Sequence, residues 1–203
     1  MNFQHNLTTE KAITTLRNVK DITMNKAVFL DRDGTIIEER GYIKAADEVA
    51  FIPGVFETLR MLQKHYKLFI VTNQSGIRKN IITAQDVDNI NNYILMTLRA
   101  QDIKITDTYV CPHTRDDKCE CMKPKPFFLH KAAAAYDIDL KNSFSIGDHP
   151  HDVELAQNAG GKGIYLLTGH GIKHLGEIQS KAIVFSDINT AADWIAKNNN
   201  TFY

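Results

Sequence analysis

The stretch KAVFLDRDGT, residues 26–35, decides how this chain is read. Ala27-Val28-Phe29-Leu30 is a short continuous apolar run, the pattern of a strand buried on both faces. The run then enters a glycine-containing turn that carries two carboxylates, Asp31 and Asp33. If the sheet is parallel, those acids stand outside a strand's carboxyl end, where open α/β sheets bind their ligands.

Working outward, apolar runs at 67–72 (KLFIVT), 107–110 (DTYV), 144–147 (FSIG), 163–167 (GIYLL) and 182–185 (AIVF) predict five further strands. Between them lie helical patterns. Val55, Leu59 and Leu62 follow Pro53-Gly54; Val87, Ile90, Ile94 and Leu98 follow a Thr83/Asp86 capping box; Phe127–Tyr136 is Ala-rich. Another helix runs from Asp152 to Ala159 and stops at Gly160-Gly161, and Asp187 can cap a last one bearing Ala191, Trp194 and Ile195. Strands alternating with helices predict a doubly wound α/β fold with a mainly parallel, Rossmann-like sheet. Residues 1–24 read as an N-terminal extension, with Ala12, Ile13, Leu16 and Val19 on one face of a helix, and residues 25–203 as a single domain.

Composition narrows the function. Twenty-four basic residues balance twenty-four acidic ones over 203 positions, which argues against a dedicated nucleic-acid or acidic-membrane binder. No apolar run is long enough to span a membrane, and the first residues lack an apolar signal core, so a cytoplasmic protein is expected. All three cysteines fall within 111–121, as Cys111-x-His113-x5-Cys119-x-Cys121. Three thiolates and an imidazole make a closed tetrahedral Zn²⁺ set, structural rather than catalytic, which would pin the loop leading to Lys123.

The other strand ends add to the two aspartates. Thr72-Asn73-Gln74-Ser75-Gly76 offers donors for phosphate oxygens, Lys123 offers a positive charge, and Asp148 could complete a Mg²⁺ site with Asp152 behind it. A carboxylate can attack phosphorus while a second one moves the proton. Blander readings exist: an acidic surface turn for Asp31/Asp33, and an ordinary helix N-cap for Asp148.

FLDRDGT, VTNQSG, Lys123 before Pro124, and IGDHPHD together resemble the haloacid dehalogenase-like phosphohydrolases. GYI (41–43), the Pro53-Gly54-Val55 turn, VTNQSGI and the Cys/His cluster narrow the resemblance to the heptose 1,7-bisphosphate 7-phosphatases, with the histidinol-phosphatases similar. The resemblance covers about residues 26–170. It implies Asp31 as nucleophile and Mg²⁺ ligand, and Asp33 as general acid/base with its backbone carbonyl on the metal. It implies Thr72 and Asn73 on the phosphoryl group, Lys123 stabilising the phosphoenzyme, and Asp148 as the remaining metal ligand. The expected substrate is a small phosphorylated metabolite, a heptose bisphosphate losing its 7-phosphate, handled by a monomer. Histidinol phosphate, a nucleic-acid 3′-phosphate and a non-catalytic zinc-stabilised module are the alternatives.

Only 38 residues separate Asp33 from Thr72, too few for a folded cap domain, so a capless, open site is expected, with specificity in loop 38–52 and the Cys/His loop. The family's Arg before the KP lysine is Met122 here. Arg78 and Lys125 are the candidate replacements for binding a second phosphate, and His149, His151 and His170 are further candidates for substrate contact.

Overall fold

The computed structural model describes residues 24–178 and 182–198. The expected N-terminal helix lies outside them.

Six strands form one parallel sheet: β1 (Ala27–Leu30), β2 (Lys67–Asn73), β3 (Ile105–Cys111), β4 (Phe144–Gly147), β5 (Lys162–Leu166) and β6 (Ile183–Phe185), in the order β3-β2-β1-β4-β5-β6. The connecting helices are α1 (Val55–Leu62), α2 (Ala84–Ala100), α3 (Phe127–Tyr136), α4 (Pro150–Asn158), α5 (Gly171–His174) and α6 (Ile188–Asn198).

The continuous apolar runs are explained by helices on both faces. In β1, Val28 and Leu30 pack into one core with α1, α2 and α6, through Leu59, Ile90, Ile94 and Ile195. Ala27 and Phe29 point the other way, toward α3 and α4, against Leu129, Ala132 and Leu155. Phe29 stacks on Phe69 across the β1–β2 pair at 5.1 Å between ring centroids. The α2 capping box forms: Asp86 N donates to Thr83 Oγ1 at 3.0 Å and Thr83 N to Asp86 Oδ2 at 2.8 Å.

Two local expectations change. Strand β3 begins at Ile105 and runs through Cys111, so the first cysteine of the cluster is a strand residue. Helix α4 begins at Pro150, with His149 rather than Asp148 as its N-cap; His149 Nδ1 accepts from His151 N, and Asp152 Oδ2 accepts from His149 N. The Asp148 carboxylate instead accepts from the His170 backbone N at 2.7 Å. Among the described residues no helix is long and apolar enough to cross a membrane.

Candidate active site

The strand order sets β1 between β2 and β4, so the residues following three adjacent strands converge at one sheet edge. Asp31 N continues the ladder by donating to Ile146 O at 2.9 Å. Its carboxylate meets the Lys123 ammonium, Nζ to Oδ1 at 2.8 Å, and the same ammonium reaches Asp152 Oδ1 at 2.6 Å. Lys123 is 5% exposed. Asp31, Asp148 and Asp152 each place a carboxylate oxygen within 4.8 Å of the others.

Burial pushes the Asp31 carboxyl well above the ordinary range; Lys123 opposes this, while Asp152, Asp148 and Asp33 add to it. Asp148 is pushed up to about 7, by burial first and then by Asp152. Burial works against the Lys123 charge, but Asp152 and Asp31 outweigh it and hold the ammonium above its usual range. Three clustered carboxylates, Asp148 and Asp152 buried and Asp31 largely so, against one ammonium leave negative charge uncompensated. A divalent cation with oxygen ligands matches that deficit.

Asp148 is held in a close-fitting cradle. Gly34 (φ +78°) and Gly169 (φ +49°) flank it so closely that a Cβ on either would come within 2.1 Å and 2.0 Å of Asp148 Oδ2. Thr168 Oγ1 ties the second glycine's loop to the first by donating to Gly34 O at 2.5 Å.

Asp33 stands apart from this cluster. Arg32, only 1% exposed, grips its carboxylate with Nε and Nη2, both at 3.0 Å, and reaches Asn91 Oδ1 with Nη1 at 3.0 Å. Gln74 Nε2 donates to Asp33 Oδ2 at 2.9 Å and to Thr72 Oγ1 at 2.8 Å. Arg32 did not figure among the expected site residues although it lies inside the opening motif, and Gln74, expected within a loop of phosphate donors, spends its amide on Asp33 and Thr72. Asn73 lines the cavity, but its Oδ1 accepts from Lys123 N at 3.1 Å, so this side chain also holds the lysine backbone.

These groups floor an open cavity of about 700 Å³. His149, His151 and His170 line it, and burial draws the His149 imidazole down to about 4. The walls come from the two expected loops, through Glu39 on one and Thr114, Arg115 and Asp116 on the other. Arg78 does not reach it: Nε is bound to Asp117 Oδ1 at 2.9 Å and the side chain is exposed. Lys125 lines only a smaller neighbouring cavity, with Nζ on Cys119 O at 2.7 Å and Glu120 Oε1 at 3.1 Å. The cations on the main cavity's outer wall are Lys79 and Arg115. The chain turns Arg78 toward Asp117, and its neighbour Lys79 toward Tyr42 Oη at 3.0 Å. No described residue takes a hydrogen bond or ion pair from the Arg115 guanidinium.

Beyond the wall, the four Cys/His ligand atoms form a compact group. The thiol sulfurs are 3.3–3.7 Å apart, and His113 Nδ1 lies 3.7 Å from Cys111 Sγ and 3.3 Å from Cys121 Sγ. A tetrahedron with Zn–S bonds of about 2.3 Å has edges of about 3.8 Å. The donor set and its spacing therefore fit one zinc ion.

Residues 120–191 match the HAD-hydrolase-like family model. The D-glycero-beta-D-manno-heptose-1,7-bisphosphate 7-phosphatase of Helicobacter pylori is 38% identical over 154 residues, covering 75% of this chain and 88% of that one. The alpha-heptose counterpart of Campylobacter jejuni is 43% identical over 135 residues, covering 66% and 77%. The crystal structure of the D,D-heptose 1,7-bisphosphate phosphatase from B. bronchiseptica, complexed with magnesium and phosphate, superposes with a TM-score of 0.78 at 28% identity, covering 85% of this chain and 98% of that one. The chain therefore belongs to the heptose-1,7-bisphosphate 7-phosphatase family of HAD-like hydrolases and is a phosphatase.

Proposed function

We propose that this enzyme removes the 7-phosphate of a D-glycero-D-manno-heptose 1,7-bisphosphate in the cytoplasm, through an aspartyl-phosphate on Asp31. The observation that carries the reading is the buried Asp31–Lys123–Asp152 chain at the floor of an open cavity.

Asp31 and Asp148, with the Asp33 carbonyl, would hold Mg²⁺; when bound, the ion offsets the charge of the carboxylates and of the phosphoryl oxygens. An Asp31 carboxylate oxygen attacks phosphorus, the bond from phosphorus to the sugar oxygen breaks, and that oxygen takes a proton from Asp33. Water then attacks the aspartyl-phosphate, giving its proton to Asp33 and releasing phosphate and free Asp31. The fork from Arg32 and the bond from Gln74 fix the Asp33 carboxyl in place beside the cavity. Lys123 opposes the burial that disfavours the Asp31 carboxylate and orients it, and Asp152 orients Lys123, since its oxygens are taken by Lys123 Nζ and His149 N. Thr72 and the remaining Asn73 N–H face the phosphoryl group. Zinc on Cys111, His113, Cys119 and Cys121 would fix the loop that carries Arg115 and leads into Lys123.

For the second phosphate, the unpaired Arg115 guanidinium takes the place of the arginine that Met122 replaces, assisted by Lys79; a free guanidinium can grip phosphate through two parallel bonds. The test is a Mg²⁺-dependent phosphate-release assay across the alpha and beta heptose 1,7-bisphosphates, heptose 7-phosphate and histidinol phosphate. The reading requires a bisphosphate anomer to have the highest kcat/KM, and a preference for histidinol phosphate would overturn it.

A further inference from the structure

The turn after β5 reaches across the sheet edge to the turn after β1, and hydrogen bonds fix its path. Leu167 N donates to Phe185 O at 2.9 Å, which ties the start of the turn to β6. Gly171 N donates to Thr168 O at 2.7 Å, and the buried Tyr165 hydroxyl donates to Gly171 O at 2.9 Å, which together tie down its end. Gly171 leaves no room for a side chain, since a Cβ there would come within 1.9 Å of Leu166 O. The last bond comes from a side chain, Thr168 Oγ1 to Gly34 O. Among the described residues it is the one hydrogen bond that joins this turn to the turn after β1.

What the two turns carry gives this link a purpose. His170 N, two residues after Thr168, occupies Asp148 Oδ2, so Oδ1 is the oxygen left for a cation. On the other turn, Gly34 N donates to Ile37 O at 2.7 Å. A peptide unit is planar and trans, so this bond also fixes the direction of the Asp33 carbonyl, which shares that plane. Thr168 holds the next carbonyl along, so the turn is gripped on both sides of Gly34, from within by Ile37 and from outside by Thr168. Gly169 lies between the two turns, where a Cβ would come within 2.7 Å of Gly34 Cα and 2.0 Å of Asp148 Oδ2. A displacement of the turn after β5 therefore moves the Asp148 carboxylate relative to the Asp33 carbonyl. Mg²⁺ demands near-ideal octahedral geometry with oxygens at about 2.0–2.1 Å, so the spacing of its ligands governs how well it binds.

We propose that Thr168 is a positioning residue for the cation: its hydroxyl locks the turn after β5 onto the turn after β1, and so sets the spacing of the Asp148 carboxylate and the Asp33 carbonyl at which Mg²⁺ binds. The inference rests on the Mg²⁺ placement given under the proposed function and adds to it a residue that touches neither the ion nor the substrate.

The test is calorimetric titration of Mg²⁺ into wild-type, T168S and T168V protein, each zinc-loaded, freed of Mg²⁺ by gel filtration and without substrate. Valine replaces the hydroxyl with a methyl group and serine keeps it. Neither changes the charge of the site, so a change in Kd reports geometry. The expected Kd for Mg²⁺ rises about 10-fold or more in T168V, as when an outer partner of a metal ligand is removed, and stays within about threefold of wild type in T168S. A T168V Kd within about twofold of wild type overturns the proposal, even where the Tm of the Mg²⁺-free protein falls, because the bond then only steadies the turn. Equal weakening in T168S and T168V also overturns it, since the methyl group and not the hydroxyl would then matter. If T168V fails to fold by circular dichroism, T168A takes its place with the same expectations. A wild type that binds no Mg²⁺ removes the cation placement and the proposal with it. A wild type that binds Mg²⁺ but hydrolyses no heptose bisphosphate removes the substrate reading alone, and the comparison of Kd values still decides the role of Thr168.

Discussion

Replacing Lys123 with methionine keeps the length of the side chain and deletes its charge. In the structure that charge lies 2.8 Å from Asp31 and 2.6 Å from Asp152, with the lysine 5% exposed. At an effective dielectric constant of about 20, each contact is worth about 6 kcal/mol of Coulomb attraction before desolvation is subtracted. Removing one partner of a buried pair typically costs about 3–5 kcal/mol, and proton uptake by the stranded carboxyls keeps the loss from growing larger. For a domain of this size that is a fall in Tm of roughly 10 °C. The measurement is thermal unfolding of wild type and K123M, each in EDTA and in saturating Mg²⁺, beside turnover of an aryl phosphate. In EDTA the variant unfolds about 10 °C lower. Mg²⁺ narrows the gap, because the divalent charge offsets the carboxylates that Lys123 no longer offsets, and a ligand at 100 times its Kd adds about 2.7 kcal/mol. Turnover falls at least about 100-fold, since Asp31 loses its orienting partner. Equal Tm values in EDTA would refute the view that Lys123 balances this cluster, and a gap that Mg²⁺ leaves unchanged would refute the placement of the cation among these acids.

Four further outcomes are expected. D31N loses at least about 1,000-fold in turnover while its far-UV circular dichroism and cooperative melting persist, because the nucleophile is lost and one member of a repelling acid cluster is neutralised. R115A lowers the ratio of heptose bisphosphate to heptose monophosphate kcat/KM about 10-fold or more, whereas R78A, whose guanidinium is tied to Asp117, moves that ratio less than twofold. Elemental analysis finds one zinc per chain in reductant-protected protein, and C121S binds less than half an equivalent, with lower turnover because the loop entering Lys123 is loosened. T83A, which deletes the cap at the start of α2, lowers unfolding free energy by about 1 kcal/mol in urea titrations and leaves kcat intact.

What could be read in advance follows from periodicity. Strands buried on both faces announce themselves as apolar runs, so β1, β2 and β4 were placed to within a residue, and with them the convergence of Asp31, Thr72 and Asp148. Polar groups in turns have no such period. Arg78 and Lys79 are consecutive, and nothing in their order says that Asp117 claims the first while the second lines the cavity. Arg32 lies between the two aspartates of the opening motif, yet its burial becomes visible only when Asn91 of α2 arrives as the second partner of its side chain. The cap of α4 shifted by one residue for a related reason. Once the loop at 168–170 presents a backbone N–H to Asp148, that carboxylate is used across the sheet edge and His149 takes the local role.

The Cys/His cluster has a consequence for how this enzyme can change. Its four ligands occupy 111, 113, 119 and 121, so the segment presenting Thr114, Arg115 and Asp116 to the cavity is framed on both sides by ligand groups, with Cys111 rooted in the core beneath it. Anchorage and display are thereby separated. Substitutions at 114–116 can alter which anion the rim accepts without disturbing the sheet, since the frame rather than the rim side chains meets the core. A shift in substrate preference within this architecture is then a matter of a few rim side chains, with the phosphoryl chemistry at the floor left untouched.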